Sequence, residues 1–203
     1  MVKARLNKLS SNNKFALVLV SASSIGLAAS FILTLEKLSL LKNPVAVLSC
    51  DLNPVVSCGS VIVSKQAEAF GFANPLIGLI GFAVIITIGM GILAGAKYQR
   101  WFWLGLEAGT ILGVVFCHWL VYQSVFVIQA LCPFCIVVWA VVIALLVLVT
   151  RFNLQEGNIK PPKGLKGLSE LLVRHAWIVI GSWYLIIALL ILNHFWYYWK
   201  TLF

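Results

Sequence analysis

Long stretches of this chain carry almost no charge, and they constrain its fold more than any other feature. A helix rises about 1.5 Å per residue, so about 20 apolar residues cross the hydrocarbon core of a bilayer. Residues 15–35, 75–96 and 175–199 each suit one crossing. Residues 102–150 contain one acidic side chain and no Lys or Arg, and this stretch is too long for a single crossing. The sequence therefore predicts five membrane-spanning helices.

The composition is typical of an integral membrane protein. Of the 203 residues, 62% are hydrophobic and only 10% are charged, which lies outside the usual range of soluble domains. The formal net charge is +9, but the Lys and Arg residues form short patches beside the apolar stretches. Such patches orient helices in a bilayer. We therefore expect the chain to contact lipid and not nucleic acid.

The predicted fold class is an all-α membrane protein, with a bundle of four spans in residues 1–153 followed by a fifth span. The first apolar stretch exceeds the roughly 7–15 residues of a signal-peptide core, so we expect it to be retained. The predicted boundaries are spans at about 15–35, 75–96, 102–123 and 132–150, a loop at 36–74, a basic linker at 154–174 and a fifth span at 175–199.

The distribution of basic residues predicts the orientation. With the N-terminus in the cytoplasm, eleven of the 15 Lys and Arg residues lie on the inner side, as the positive-inside rule requires. The 36–74 loop then lies on the outer face. Its mixed apolar and charged segment from Ser60 to Phe70 suits either a short helix at the membrane surface or an ordinary amphipathic linker. The start of the fourth span lies on that outer face too.

Cys132-Pro133-Phe134-Cys135 stands at the start of the fourth span. Cysteines three residues apart share one face of a first helical turn, where Pro is well tolerated. The free N–H groups and helix dipole at that end favour a thiolate, which is the nucleophile of disulfide exchange. Half of a zinc site and a structural disulfide remain alternative interpretations of this pair.

A second pair, Cys50 and Cys58, lies in the outer loop. Disulfides form and persist on that side of a membrane. One pair in a loop and one at a helix start can relay electrons by thiol–disulfide exchange. The sequence has no metal, flavin or nucleotide motif to receive the electrons, so the expected acceptor is a quinone dissolved in the bilayer.

Three motifs resemble the vitamin K epoxide reductase family, in the order that family shows and over about residues 15–153. They are Ser57-Cys58-Gly59-Ser60, the segment Phe-Gly-Phe-Ala-Asn-Pro-Leu-Ile-Gly at residues 70–78, and Cys132-Pro133-Phe134-Cys135. The resemblance, which is to bacterial members, implies a four-helix bundle around a quinone near the outer surface. It also implies that Cys50 meets a partner, Cys58 exchanges with Cys132, and Cys135 reacts with the quinone.

The same resemblance implies a quinone pocket. Asn74 is expected to donate a hydrogen bond to a quinone oxygen. Trp139 stands where vertebrate members have a tyrosine that bonds the quinone, and its indole N–H can also donate. We expect Phe70, Phe82 and Leu120 to complete the pocket.

The predicted function is that of a membrane thiol oxidase in the bacterial inner membrane, which supports disulfide bond formation. Electrons would pass from an exported thioredoxin-fold (DsbA-like) protein to menaquinone or ubiquinone. Residues after 153 offer only a basic linker and one span, so we expect this partner to be a separate protein.

Two other functions fit parts of the sequence. One is a non-enzymatic scaffold held by structural disulfides or a four-cysteine zinc site, although the spacing from Cys50 to Cys58 exceeds the usual C-x2–4-C, so no metal site is expected. The other is an electron conduit that reduces disulfides on the outer side, which would need a cysteine pair reachable from the cytoplasm, and the sequence shows none.

Three further residues lie inside predicted spans. Cys117 is expected to pack in the apolar core. For His118, proton transfer to the quinone and a hydrogen bond between helices both remain open. We expect Glu107 to extend towards the inner interface or pair with Lys97 or Arg100.

Overall fold

The computed structural model describes residues 2–200, and side chains from residue 12 onward other than that of residue 163. Within that range every regular element is helical, and five helices are long and apolar enough to cross a membrane. The prediction of an all-α membrane protein is therefore confirmed. The helices are α1 (Val2–Lys42), α2 (Cys58–Ile62), α3 (Pro75–Leu93), α4 (Arg100–Tyr122), α5 (Pro133–Gln155), α6 (Lys166–His194) and α7 (Trp196–Trp199).

Several helices continue beyond the predicted spans. The segment predicted as the linker, residues 154–174, is partly helical, because α5 reaches Gln155 and α6 begins at Lys166. Charged side chains end a bilayer crossing, but Lys, Arg and Glu are good helix formers and do not end a helix. Which part of each helix lies in lipid stays a prediction.

The connection before α5 is shorter than the sequence suggested. A break was expected between about Tyr122 and Leu131, but the helix continues as a π-helical turn over Gln123–Ile128. Gln129 then adopts a left-handed conformation with φ of 58° and ends the helix. Widened π-helical turns are frequent at functional sites, and this one directly precedes the Cys132 segment.

Helix α5 forms the centre of the bundle and packs against α1, α4 and α6. Helix α1 packs along α3 on the other side. Small residues permit this close approach, since a Cβ atom at Gly89 would lie 2.7 Å from the side chain of Val20. Helices α3 and α4 thus make their main contacts with different neighbours, which leaves space between them.

Glu107 on α4 is buried against α5, so its side chain does not extend outward as expected. Thr150 Oγ1 donates to one carboxylate oxygen at 2.6 Å, and Asn153 Nδ2 donates to the other at 2.9 Å. A buried polar group needs such partners because unpaired burial is costly. This network, Glu107 with Thr150 and Asn153, defines what we call the glutamate end of the bundle.

The fifth long helix, α6, is attached to the bundle by side-chain hydrogen bonds. The indole Nε1–H of Trp183 donates to His118 Nε2 at 3.0 Å, and the hydroxyl of Tyr184 donates to the Ala140 carbonyl at 2.6 Å. His118 Nδ1 lies 2.8 Å from the Val114 carbonyl, so both ring nitrogens have hydrogen-bond partners. Of the two expectations for His118, the structure favours the hydrogen bond between helices.

Candidate active site

The structure brings both cysteine pairs together at the end of the bundle opposite Glu107, which we call the cysteine end. Cys50 and Cys58 form a disulfide, while Cys132 and Cys135 are free thiols. The Cys58 and Cys132 sulfur atoms lie 3.3 Å apart although 74 residues separate them in sequence. Two sulfurs in such contact are placed for thiol–disulfide exchange.

Two backbone hydrogen bonds hold the loop beside the start of α5. The Leu131 N–H donates to the Val55 carbonyl at 2.7 Å, and the Ser57 N–H donates to the Leu131 carbonyl at 2.9 Å. Ser57 precedes Cys58, and Leu131 precedes Cys132. The paired residues Ser57 and Leu131 are thus the immediate neighbours of the two cysteines, so the pairing sets the distance between the Cys58 and Cys132 sulfurs.

Asp51 fixes the fold of the loop around the disulfide. Its carboxylate accepts hydrogen bonds from the Ser57 hydroxyl at 2.8 Å, the Gly59 N–H at 2.9 Å and the Leu48 N–H at 3.3 Å. Burial raises the pKa of this carboxyl, but the hydrogen bonds from Gly59, Ser57 and Leu48 outweigh burial and lower it overall. Sequence reasoning missed Asp51, although its position directly after Cys50 was a signal.

Cys132 occupies the cap position of α5, as the sequence pattern predicted. Its sulfur accepts a hydrogen bond from the Cys135 N–H at 3.4 Å. The hydrogen bond from the Cys135 thiol lowers the pKa of Cys132, and the N–H groups of Cys135 and Phe134 lower it further, against the effects of burial and of the Asp51 charge. The start of α5 therefore stabilises a thiolate at Cys132, which is the form that disulfide exchange uses.

The four sulfur sites differ in access. Cys58 and Cys132 are fully buried, and Cys50 is only 5% exposed. Cys135 is half-buried and borders a large cavity. Cys58 and Cys132 are thus closed to water, whereas Cys135 faces the cavity.

The cavity has a volume of about 1100 Å³ and extends from the cysteine end along the space between α3 and α4. Its surface is predominantly apolar. All five residues predicted for the quinone pocket line this same cavity, together with Cys135. They are Phe70, Asn74, Phe82, Leu120 and Trp139.

Asn74 holds the loop that covers the cavity. Its Nδ2 donates to the Gln66 carbonyl at 2.7 Å, and its Oδ1 accepts from the Ala69 N–H at 3.1 Å. One of its two amide protons is therefore used within the protein, and the other is the donor available for a ligand. Trp139 is 4% exposed and belongs to the apolar cluster around Cys117.

Two features of the cavity were not predicted. Gly105, Gly109 and Gly113 line it at intervals of one helical turn on α4, and their four-residue spacing was a usable signal. Lys37 also lines it, paired with Glu68 at 2.8 Å and donating to the Ile62 carbonyl at 3.1 Å. No pattern in the sequence marked Lys37, because its partners come from a distant loop.

The geometry also bears on the zinc alternative. Two of the four sulfurs that such a site would need are already joined in the Cys50–Cys58 disulfide. Among residues 2–200, no three His, Cys, Asp or Glu side chains gather where they would hold a metal ion. Cys117 is buried in the apolar cluster near Cys135, as expected for a packing residue.

Comparison with known proteins agrees with this chemistry. The model of the vitamin K epoxide reductase family matches residues 17–150, which include α3, α4, most of α5 and both cysteine pairs. No curated protein matches the chain. The matched region is about two thirds of the sequence and leaves out α6. The chain therefore belongs to the vitamin K epoxide reductase family, whose members are multi-pass membrane enzymes that couple disulfide chemistry to a quinone.

Proposed function

We propose that this protein is a quinone-dependent thiol oxidase that regenerates the disulfide of an exported thioredoxin-fold (DsbA-like) oxidoreductase. The single observation that carries the proposal is the 3.3 Å contact between the sulfurs of Cys58 and Cys132. It joins a loop disulfide to a thiol pair whose second member, Cys135, borders an apolar cavity. One continuous route thus leads from the loop to that cavity.

The first exchange moves two electrons from the partner to the loop. A partner thiolate attacks Cys50 and breaks the Cys50–Cys58 bond, which forms a mixed disulfide and releases the Cys58 thiolate. The second partner thiol then attacks the mixed disulfide, so the partner leaves oxidised and Cys50 leaves reduced. Both electrons now reside on the Cys50 and Cys58 sulfurs.

The second exchange moves the same electrons inward. The Cys58 thiolate attacks Cys132 of a Cys132–Cys135 disulfide and releases the Cys135 thiolate. Cys50 then attacks Cys58, which restores the loop disulfide and releases Cys132 as a thiolate. The structure has the bonding pattern that follows this step, with the loop pair oxidised and the α5 pair reduced.

The cavity fits a quinone with a long apolar tail. Its predominantly apolar wall suits an isoprenoid chain, and Asn74 and Cys135 supply polar atoms at the cysteine end. A bound quinone would accept two electrons and two protons from the α5 pair and leave as quinol, while the Cys132–Cys135 disulfide forms. We propose menaquinone or ubiquinone as this acceptor, because both are lipid-soluble two-electron carriers.

The loop must open for the partner to reach Cys50. That cysteine is almost fully buried, but apolar side chains near it are not: Val45 is 85% exposed, Val47 is 86% exposed and Leu52 is 70% exposed. Exposed apolar side chains next to a reactive group are typical of a protein contact. We propose that the partner binds these residues and draws Cys50 outward.

We further propose that the cysteine end faces the outside of the bacterial inner membrane and that the N-terminus is cytoplasmic. The concentration of Lys and Arg residues at the other end of the spans supports this orientation. In the proposed division, residues 1–153 form the catalytic unit, and α6 is an additional span. The oxidising outer compartment also suits a persistent loop disulfide.

The direct test is anaerobic reduction of a soluble quinone by the purified protein, followed by absorbance. The protein is supplied either with a reduced thioredoxin-fold protein or with a small membrane-permeant dithiol. Cys135→Ala should abolish turnover with both reductants. Cys50→Ala should abolish turnover with the protein reductant only, because a small dithiol can reduce the Cys132–Cys135 disulfide directly.

Two outcomes would refute the proposal. If Cys135→Ala protein reduces quinone at the wild-type rate, the cysteine roles are wrong. If wild-type protein reduces none of several quinones and keeps inert disulfides, the scaffold interpretation is correct.

A further inference from the structure

The contact between the two cysteine pairs depends on packing behind it. Val55 and Leu131, whose backbones pair beside Cys58 and Cys132, also bury their side chains in one apolar cluster. Phe195 is in the same cluster and is fully buried. This aromatic ring therefore belongs to the same apolar cluster as the side chains of both paired residues.

Phe195 comes from a part of the chain outside the family match. It lies in the one-residue break between α6 and α7, while the match ends at residue 150. Its N–H donates to the Ile191 carbonyl at 3.0 Å, and its carbonyl accepts from the N–H groups of Tyr198 and Trp199. Hydrogen bonds to its N–H and its carbonyl thus hold the backbone of Phe195 in place at the end of α6.

Helix α6 is itself held in register against the bundle. The bonds from Trp183 to His118 and from Tyr184 to Ala140 fix α6 on α4 and α5. A displacement of α6 along its axis would break both bonds and withdraw Phe195 from Val55 and Leu131. The fifth helix can therefore act on the cysteine pairs without contributing a reactive group.

We propose that Phe195 is a positioning residue for sulfur exchange, holding the Val55–Leu131 pairing so that Cys58 meets Cys132. The inference rests on the proposed function, in which this exchange is the central step. Misplacement by about 1 Å can cost roughly 100-fold in a reaction that depends on orientation. Supporting residues around a reactive pair supply this precision through packing.

The test measures the Cys58–Cys132 contact without a quinone or partner. In a Cys50→Ala/Cys135→Ala background, these two cysteines can form one disulfide, and its equilibrium with glutathione gives their effective concentration. Phe195→Ala should lower that value by about tenfold or more. Phe195→Leu should recover most of it, because leucine still fills the cluster. Trp196→Ala, at the exposed neighbouring position, is the matched control and should change it less than about twofold.

A milder substitution at Phe195 gives an answer even if the alanine variant does not fold. If Phe195→Ala does not fold, Phe195→Val takes its place and should give a value between those of the leucine variant and a tenfold loss. An unchanged effective concentration in a folded alanine or valine variant with a lowered melting temperature would overturn the proposal, because Phe195 would then be structural only. If Phe195→Ala lowers the value while wild-type protein reduces no quinone, the proposed function fails and the positioning role stands.

Discussion

The cysteine end and the glutamate end of the bundle both bury polar groups between helices, yet they differ in how these groups are bonded. At the glutamate end, each carboxylate oxygen of Glu107 accepts a hydrogen bond from a fixed partner on α5. At the cysteine end, the thiol of Cys132 touches a disulfide sulfur without a covalent bond to it. The hydrogen bonds of Glu107 form a closed network, whereas the Cys58 and Cys132 sulfurs are placed for thiol–disulfide exchange.

The difference shows what a buried reactive group needs besides its own chemistry. Glu107 is an ionisable residue within a membrane-spanning helix, which by itself suggests function. Its hydrogen bonds with Thr150 and Asn153 instead connect α4 to α5. Cys135 belongs to the same bundle but also faces the cavity, so it has a place for a reactant.

The prediction with the largest expected effect compares one substitution at the cysteine end with one at the glutamate end. Cys132→Ala should reduce quinone turnover to background with every reductant, because both exchange steps inside the protein use its sulfur. Glu107→Gln should keep turnover within about twofold, since glutamine can still accept from Thr150. Anaerobic quinone absorbance with a small dithiol compares the two variants. Equal loss in both would mean that the two ends are not functionally distinct.

The second prediction concerns stability at the glutamate end. Glu107→Leu removes the acceptor of Thr150 and Asn153, and it should lower the free energy of unfolding by about 2 kcal/mol, the usual range for a buried polar group left without a partner. The thermal midpoint in detergent reports this change. The surviving bonds of Thr150 to Leu146 and of Asn153 to Trp103 limit the loss. A midpoint equal to that of wild type would show that these hydrogen bonds of Glu107 do not stabilise the fold.

The smallest expected effect is a pH-dependent one at the cysteine end. The pKa of Asp51 is lowered in the folded protein, so its carboxylate stabilises the fold above the ordinary pKa of about 3.9, and this stability is lost as pH falls through the lowered value. Asp51→Asn should therefore cost about 1 kcal/mol near pH 7. The difference in thermal midpoint from wild type should shrink below about pH 4. A difference that grows with acidity would show the opposite sign and refute the assignment.

The sequence was sufficient to predict much of the site because its signals are local or additive. Uncharged stretches predicted the five helices. The distribution of basic residues predicted both cysteine pairs on one face, and the structure has them together at one end of the bundle. Cys132 was expected at a helix start from four adjacent residues, and the structure has it there. Phe70, Asn74 and the other predicted pocket residues were taken from a family resemblance, and they do line one cavity.

The features that the sequence did not predict depend on distant partners. The carboxylate of Glu107 accepts hydrogen bonds from Thr150 and Asn153, which are 43 and 46 positions away in sequence. Hydropathy patterns carry no information about such pairs. The packing of Phe195 against Leu131 likewise depends on how α6 lies across the bundle. Helix ends differ from the predicted span boundaries because charged side chains mark where a bilayer crossing ends but do not interrupt helical hydrogen bonding.

The most direct test of the relay is a single anaerobic turnover starting from the bonding pattern of the structure. One equivalent of soluble quinone is added to protein with an oxidised Cys50–Cys58 pair and reduced Cys132 and Cys135, and disulfides are mapped by mass spectrometry. We predict one Cys132–Cys135 disulfide for each quinol formed, with the loop disulfide unchanged. Quinol formation without that new disulfide, or no quinol while both thiols stay reduced, would contradict the account.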